Sequence, residues 1–139
     1  MRAPGWRPLS AVLGAAGVLH LARPVVFEPL IPRWLGAPAP WVYGSGFAEI
    51  ACAAGLLSAR TRKQTALAAA LLFVVVFPGN VQMAVSALRS AEASTTYRAI
   101  TVSRLPLQVP LVLWALAIRR RAGQDGAGLD EGERAQEAG

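Results

Sequence analysis

The chain has one cysteine, one histidine and little charge. Cys52 by itself closes no internal disulfide and forms no Cys-x-x-Cys pair, which excludes a dithiol relay within the chain. Its plainest reading is a small apolar residue packed between helices. His20 has no His, Cys or carboxylate partner at metal-ligand spacing, so no bound metal is expected. Charged residues make up 16% of the chain and hydrophobic ones 54%. Soluble domains run at about 25% and about 45–50%, so the imbalance points to lipid. The 139 residues suffice for a single domain. The net charge is +6, but the basic residues fall in short clusters between apolar runs. With no basic stripe interleaved with aromatics, nucleic acid is not an expected partner.

An uninterrupted run of 18 apolar residues is also missing, and four shorter or broken segments stand in its place, at 6–22, 41–57, 64–85 and 101–118. At helical rise they reach about 26, 26, 33 and 27 Å, against a hydrocarbon core of about 30 Å. None carries the polar stripe at a 3.6-residue period that a soluble bundle needs. The expected fold is therefore all-α, a polytopic membrane four-helix bundle over residues 1–121. The remainder, "AGQDGAGLDEGERAQEAG", is acidic and poor in bulky apolar residues, and it predicts a disordered cytoplasmic tail over 122–139. Arg2 and Arg7 before the first segment, with Ala15 and Gly17 as small residues, sketch a signal peptide; the cleavage pattern is weak, and the segment is read as a retained helix.

Basic clusters orient the chain. "SARTRKQ" and "IRRRAG", together with Arg2 and Arg7, place both termini on the cytoplasmic side of the inner (plasma) membrane; Arg23, Arg33, Arg89, Arg98 and Arg104 flank the outer side. Between the first two segments, "RPVVFEPLIPRWLGAPAP" holds five prolines and cannot form one continuous helix. Trp34 and Trp41 suit an interfacial position there.

The polar residues gather in the outer half. His20 ends the first segment, Glu49 lies in the second, Asn80 and Gln82 in the third, and Arg104 and Gln108 open the fourth. An ionised carboxylate at the depth of Glu49 costs about 2.5 to 3.5 kcal/mol, which Arg104 or His20 could offset. Glu49 is open to two readings, a structural ion pair or a functional carboxylate. Its neighbours Ser45, Cys52 and Ala53 make a small-residue face suited to helix contact. "GSGFAEIACAAG" is not a dinucleotide loop, since no strand precedes it. In "VVVFPGNVQMAVSAL", Pro78 deprives the Val74 carbonyl of its helical donor and predicts one kinked helix through Val85. Gly79 gives a neighbour room, Asn80 must find a partner in the bundle, and Gln82, on another side of the helix, reaches toward water.

"GVLHLARPVVFEPLIPRW", "YGSGFAEIACAAGLLSARTRK", "VFPGNVQMA" and "RLPLQVPLVLWAL" together resemble the DoxX-like family of small bacterial integral membrane proteins, over about residues 9 to 118. The resemblance implies a four-helix membrane bundle with recurrent polar positions at His20, Glu49, Asn80, Arg104 and Gln108. It also implies functions that differ among relatives: membrane subunits of quinone-linked oxidoreductases, maturation factors and assembly proteins. Three functions follow as expectations. The first is a membrane subunit or accessory of a quinone-linked redox complex, with those five residues forming a polar small-molecule site. The second is a non-catalytic assembly or scaffold protein. The third is a proton-coupled transporter, weakened because small multidrug exporters carry their membrane carboxylate in the first helix, whereas Glu49 is in the second. With no cysteine pair and no haem-ligand pair, a redox role depends on a protein partner. The chain is not expected to be an enzyme on its own; no intrinsic cofactor is expected, and a quinone is the candidate bound molecule.

Overall fold

Ala, Leu and Val fill the four apolar segments, and each segment lies in an α-helix of the computed structural model, which describes residues 5–137. These are α1 (Trp6–Ala22), α2 (Ala39–Leu57), α3 (Arg62–Arg89) and α4 (Thr95–Glu137), and no strand occurs among the described residues. α1 and the end of α2 coincide with the hydropathy boundaries; elsewhere the ends differ, because capping as well as apolarity decides where a helix stops. α4 begins six residues earlier than the apolar segment because Ser94 acts as its N-cap, its Oγ accepting from the Tyr97 N–H at 3.1 Å. α4 also continues past Ile118 and takes in the segment expected to be disordered, up to Glu137. Ala, Gln, Glu and Arg in that segment are good helix formers, and α4 holds no proline beyond Pro110. α3 is continuous through Pro78 and runs to Arg89, beyond the expected end at Val85.

The proline-rich connection forms three 3₁₀ turns, Pro24–Val26, Glu28–Leu30 and Arg33–Leu35. Chain direction changes by 103° between α1 and the first two turns. Phe27 and Leu30 turn inward and are buried, while Val25, Val26 and Trp34 face out. Trp41 at the start of α2 holds the third turn by donating from Nε1 to the Leu35 carbonyl at 3.1 Å. Gly79 receives the second turn: a Cβ there would lie 2.9 Å from the Leu30 carbonyl oxygen, so only glycine allows this approach.

α1 packs chiefly on α2, and α3 on α4; a smaller α2–α3 seam joins the two hairpins, and α1 meets α4 only slightly. The α1–α2 crossing is a backbone contact. A Cβ at Gly17 would lie 2.7 Å from the Gly46 carbonyl oxygen, and one at Gly46 would lie 2.9 Å from the His20 Cβ. The basic turn between α2 and α3 caps α2. Arg62 donates to the Leu56 and Leu57 carbonyls at 2.9 and 3.1 Å, and Thr61 Oγ1 donates to the Gly55 carbonyl at 2.8 Å. The same guanidinium lies 4.3 Å from the centre of the Trp6 ring, tying α1 to this turn.

Two apolar clusters result. The larger contains Leu9, Leu13, Leu56, Ala66, Ala69, Phe73, Ala115 and Ile118, and the smaller contains Phe27, Leu30, Val42 and Met83. Along α2 and α3 the buried Glu49 and Asn80 fall between them. Large apolar side chains also face outward from every helix, among them Val18, Phe47, Val75 and Leu113. α3 and the Thr95–Gly126 part of α4 are long and apolar enough to cross a membrane. α1 qualifies only together with the bent segment after it, and α2 does not qualify. Length and composition thus support two of the expected four crossings, or three if α1 and the bent segment form one span. α1 is short at 17 residues, and Pro40, Ser45 and Glu49 lower the hydropathy of α2.

Candidate functional site

A half-open cavity of about 780 Å³ lies where the 3₁₀ turns meet the end of α1, the first half of α2 and the middle of α3. Its walls are mostly apolar and include Phe27, Trp34, Trp41, Val76 and Pro78. His20, Glu49, Asn80 and Arg104, one residue from each helix, bring polar atoms to it. Gln108 is buried and bonded to Asn80 without lining the cavity. The five polar positions singled out in the sequence thus fall into a first set of four and one supporting residue.

The Gly17–Gly46 crossing puts His20 beside Glu49. Each lies three residues beyond the glycine of its own helix, and because the helices run antiparallel, His20 sits over Gly46 and Glu49 over Gly17. His20 Nδ1 is 3.0 Å from Glu49 Oε2 and 2.8 Å from the Ala16 carbonyl oxygen. Two acceptors at one nitrogen assign the ring hydrogen to Nδ1. That hydrogen bonds the Ala16 carbonyl and also faces Glu49 Oε2. The imidazole also stacks on Phe27, with ring centres 3.7 Å apart and planes inclined by 19°.

A second polar chain comes from the other hairpin. Gln108 Nε2 donates to the Phe73 carbonyl, and Asn80 Nδ2 donates to Gln108 Oε1 at 3.1 Å. A backbone carbonyl only accepts, so it fixes the Gln108 amide, which in turn fixes Asn80 with its nitrogen turned to Gln108. Asn80 Oδ1 is left buried without a partner. Of the two residues expected to offset the Glu49 charge, His20 is beside it, whereas Arg104 makes no direct ion pair with it and reaches Met83 Sδ at 3.8 Å. Cys52 is buried near this layer and, as expected, is free of any disulfide. Among the described residues no group of three or more His, Cys, Asp or Glu is placed to hold a metal ion.

Sequence reasoning missed Gly17, seen there only as a small residue near a cleavage pattern. The matching intervals Gly17-x-x-His20 and Gly46-x-x-Glu49 were the available signal. Phe27 and the Phe73 carbonyl left none, since an apolar side chain and a backbone oxygen do not stand out in an apolar run.

No curated protein and no solved structure matches the chain. The resemblance to DoxX-like proteins does not hold, because the family match is to a different, uncharacterised domain. The motifs that carried the resemblance are pairs and triplets of polar, proline and glycine residues, which unrelated membrane helices also use at their interfacial ends. Over residues 9–119 the chain matches the domain of unknown function DUF8561, and it belongs to that family.

Proposed function

We propose that the protein is a four-span inner (plasma) membrane protein with both termini in the cytoplasm. Its outer-half cavity binds a small amphiphile with a flat, polar head of the quinone class, as the membrane subunit or accessory of a redox complex. The observation that carries this reading is the convergence of His20, Glu49, Asn80 and Arg104 from four helices on one apolar-walled cavity. Small-molecule sites typically occupy about 300–1,000 Å³ and combine apolar walls with a few fixed polar groups. The stacked His20 and Phe27 rings offer a flat surface, and the apolar walls suit a hydrocarbon tail. Glu49 and His20 are placed to exchange protons with the head group. Electrons pass to or from a partner protein, since the chain has one cysteine and one histidine and cannot itself build a haem or thiol relay.

The test is purification in mild detergent, with identification of retained lipophilic molecules and co-purifying proteins, followed by titration with a short-tailed benzoquinone/hydroquinone pair. Glu49→Gln is expected to change affinity by about tenfold, the scale of one charge-assisted hydrogen bond, with protein abundance unchanged. Absence of retained quinone and of any titration response overturns the reading. Loss of abundance and of partner recovery together identifies the cluster as bundle packing alone.

A further inference from the structure

α2 and α3 touch closely at one end and stand apart at the other. A Cβ at Gly55 would lie 2.9 Å from Thr65 Cγ2, whereas a Cβ at Gly44, about three turns back along α2, would meet nothing within 4 Å. The space between the two helices is part of the cavity. One wall is Gly44, Ser45 and Ala48 of α2, and the other is Leu72, Val75 and Val76 of α3. Within each set the spacing of three and four residues puts the side chains on one helix face. The cleft is covered on three sides. Leu56, Ala69 and Phe73 pack at the end toward Gly55, Leu30 and the other residues of the 3₁₀ turns cover the end at Gly79, and His20 and Arg104 lie behind. The fourth side opens past Gly44 and Val75, the latter 72% exposed, onto the surface where Phe47, Leu71 and Val74 face outward.

From this shape we infer that the cleft between α2 and α3 is the entrance of the site and the seat of the ligand's hydrocarbon tail, so that the protein takes tailed molecules directly from the bilayer. This rests on the ligand-site and four-span reading above. A side opening in the apolar surface of spanning helices meets lipid rather than water, so a molecule dissolved in the bilayer reaches it without crossing the 3₁₀ turns. The head group comes to rest against the stacked His20 and Phe27 rings with Arg104 beside it, and the tail trails out between the two walls. Small side chains on the α2 wall keep the passage open. Ala48, on that wall next to Glu49, is therefore a specificity-determining residue for the tail.

The experiment uses the full chain in lipid nanodiscs and a decylbenzoquinone that carries a photoactivatable diazirine at the end of its tail. Labelling that excess unlabelled decylbenzoquinone competes away is expected on residues 44–48 and 72–76, read by mass spectrometry of the digested chain. Competed labelling confined to other faces, such as those of Val18 or Leu113, overturns the entrance. In a second measurement, Ala48→Phe is expected to weaken decylbenzoquinone by about tenfold or more, the scale of overpacking a filled space, and to leave tail-less duroquinone unchanged. Partition of each probe into the lipid is the same for both proteins and cancels from the comparison. Phe47→Leu, on the outward face beside the cleft, is expected to alter neither probe. Equal loss of both probes by folded Ala48→Phe protein, or loss of neither, overturns the seat of the tail and leaves the cavity as a ligand site. The labelling uses the unaltered chain, so it decides the entrance even where Ala48→Phe fails to fold. Absence of competed labelling and of any titration response overturns the ligand-site reading itself, and the entrance with it.

Discussion

His20 and Glu49 form a buried polar contact, and its energetics are those of a pair rather than of two residues. Removing one member leaves the other buried beside apolar walls, which in proteins costs about 3–5 kcal/mol, whereas replacing both by apolar groups is often nearly neutral. His20→Leu or Glu49→Leu is therefore expected to lower stability by about 3 kcal/mol, and the double variant by clearly less. A double-mutant cycle from unfolding in mixed detergent micelles checks this; additive losses would show that the contact contributes nothing. The five polar positions were legible because an amide or charge in an apolar run is conspicuous. Their partners were not. Arg104 and His20 were both open as neighbours of Glu49; the Gly17–Gly46 crossing places His20 there, and an approach set by two absent side chains is hard to read from residue types.

At the scale of elements, the α1–α2 crossing sets the register of that pair. Gly17→Ala puts a methyl group 2.7 Å from the Gly46 carbonyl oxygen and from Ile50 Cγ1, so the helices must part. Gly14→Ala, one turn earlier, meets nothing nearer than Ala53 Cβ at 3.6 Å. The first is expected to destabilise by about 1–3 kcal/mol, as overpacking does, and the second to be neutral or slightly stabilising. Thermal unfolding of the two variants side by side makes the comparison, and equal effects would remove the crossing from this account. The positions of the four helices were legible from apolar segments alone, as were both ends of α1 and the end of α2, while the far end of α3 and both ends of α4 were not. Ser94 sets the start of α4 through a single hydrogen bond that hydropathy does not register.

The whole molecule is two hairpins joined along α2 and α3, with the 3₁₀ turns spread over the seam. If all four helices cross the bilayer, Trp34 and Arg60 lie on opposite sides. In a Cys52→Ser background, Trp34→Cys is expected to react with a membrane-impermeant thiol reagent added to intact cells, and Arg60→Cys only after the cytoplasmic side is opened. Labelling of both from one side would mean that α1 and α2 do not cross. The all-helical class was legible from composition. Length and composition alone do not carry α2 across a membrane, because α2 spends its length on the glycines, serine, prolines and carboxylate that build the crossing and the cavity.

Arg62 joins two of these scales. It belongs to the basic turn taken to keep that end of the chain in the cytoplasm, and its guanidinium also closes the end of α2 and rests on Trp6. If that turn keeps its expected side of a membrane, address and latch are the same atoms, and α1 and α2 part at that end only by releasing the charge that set their direction.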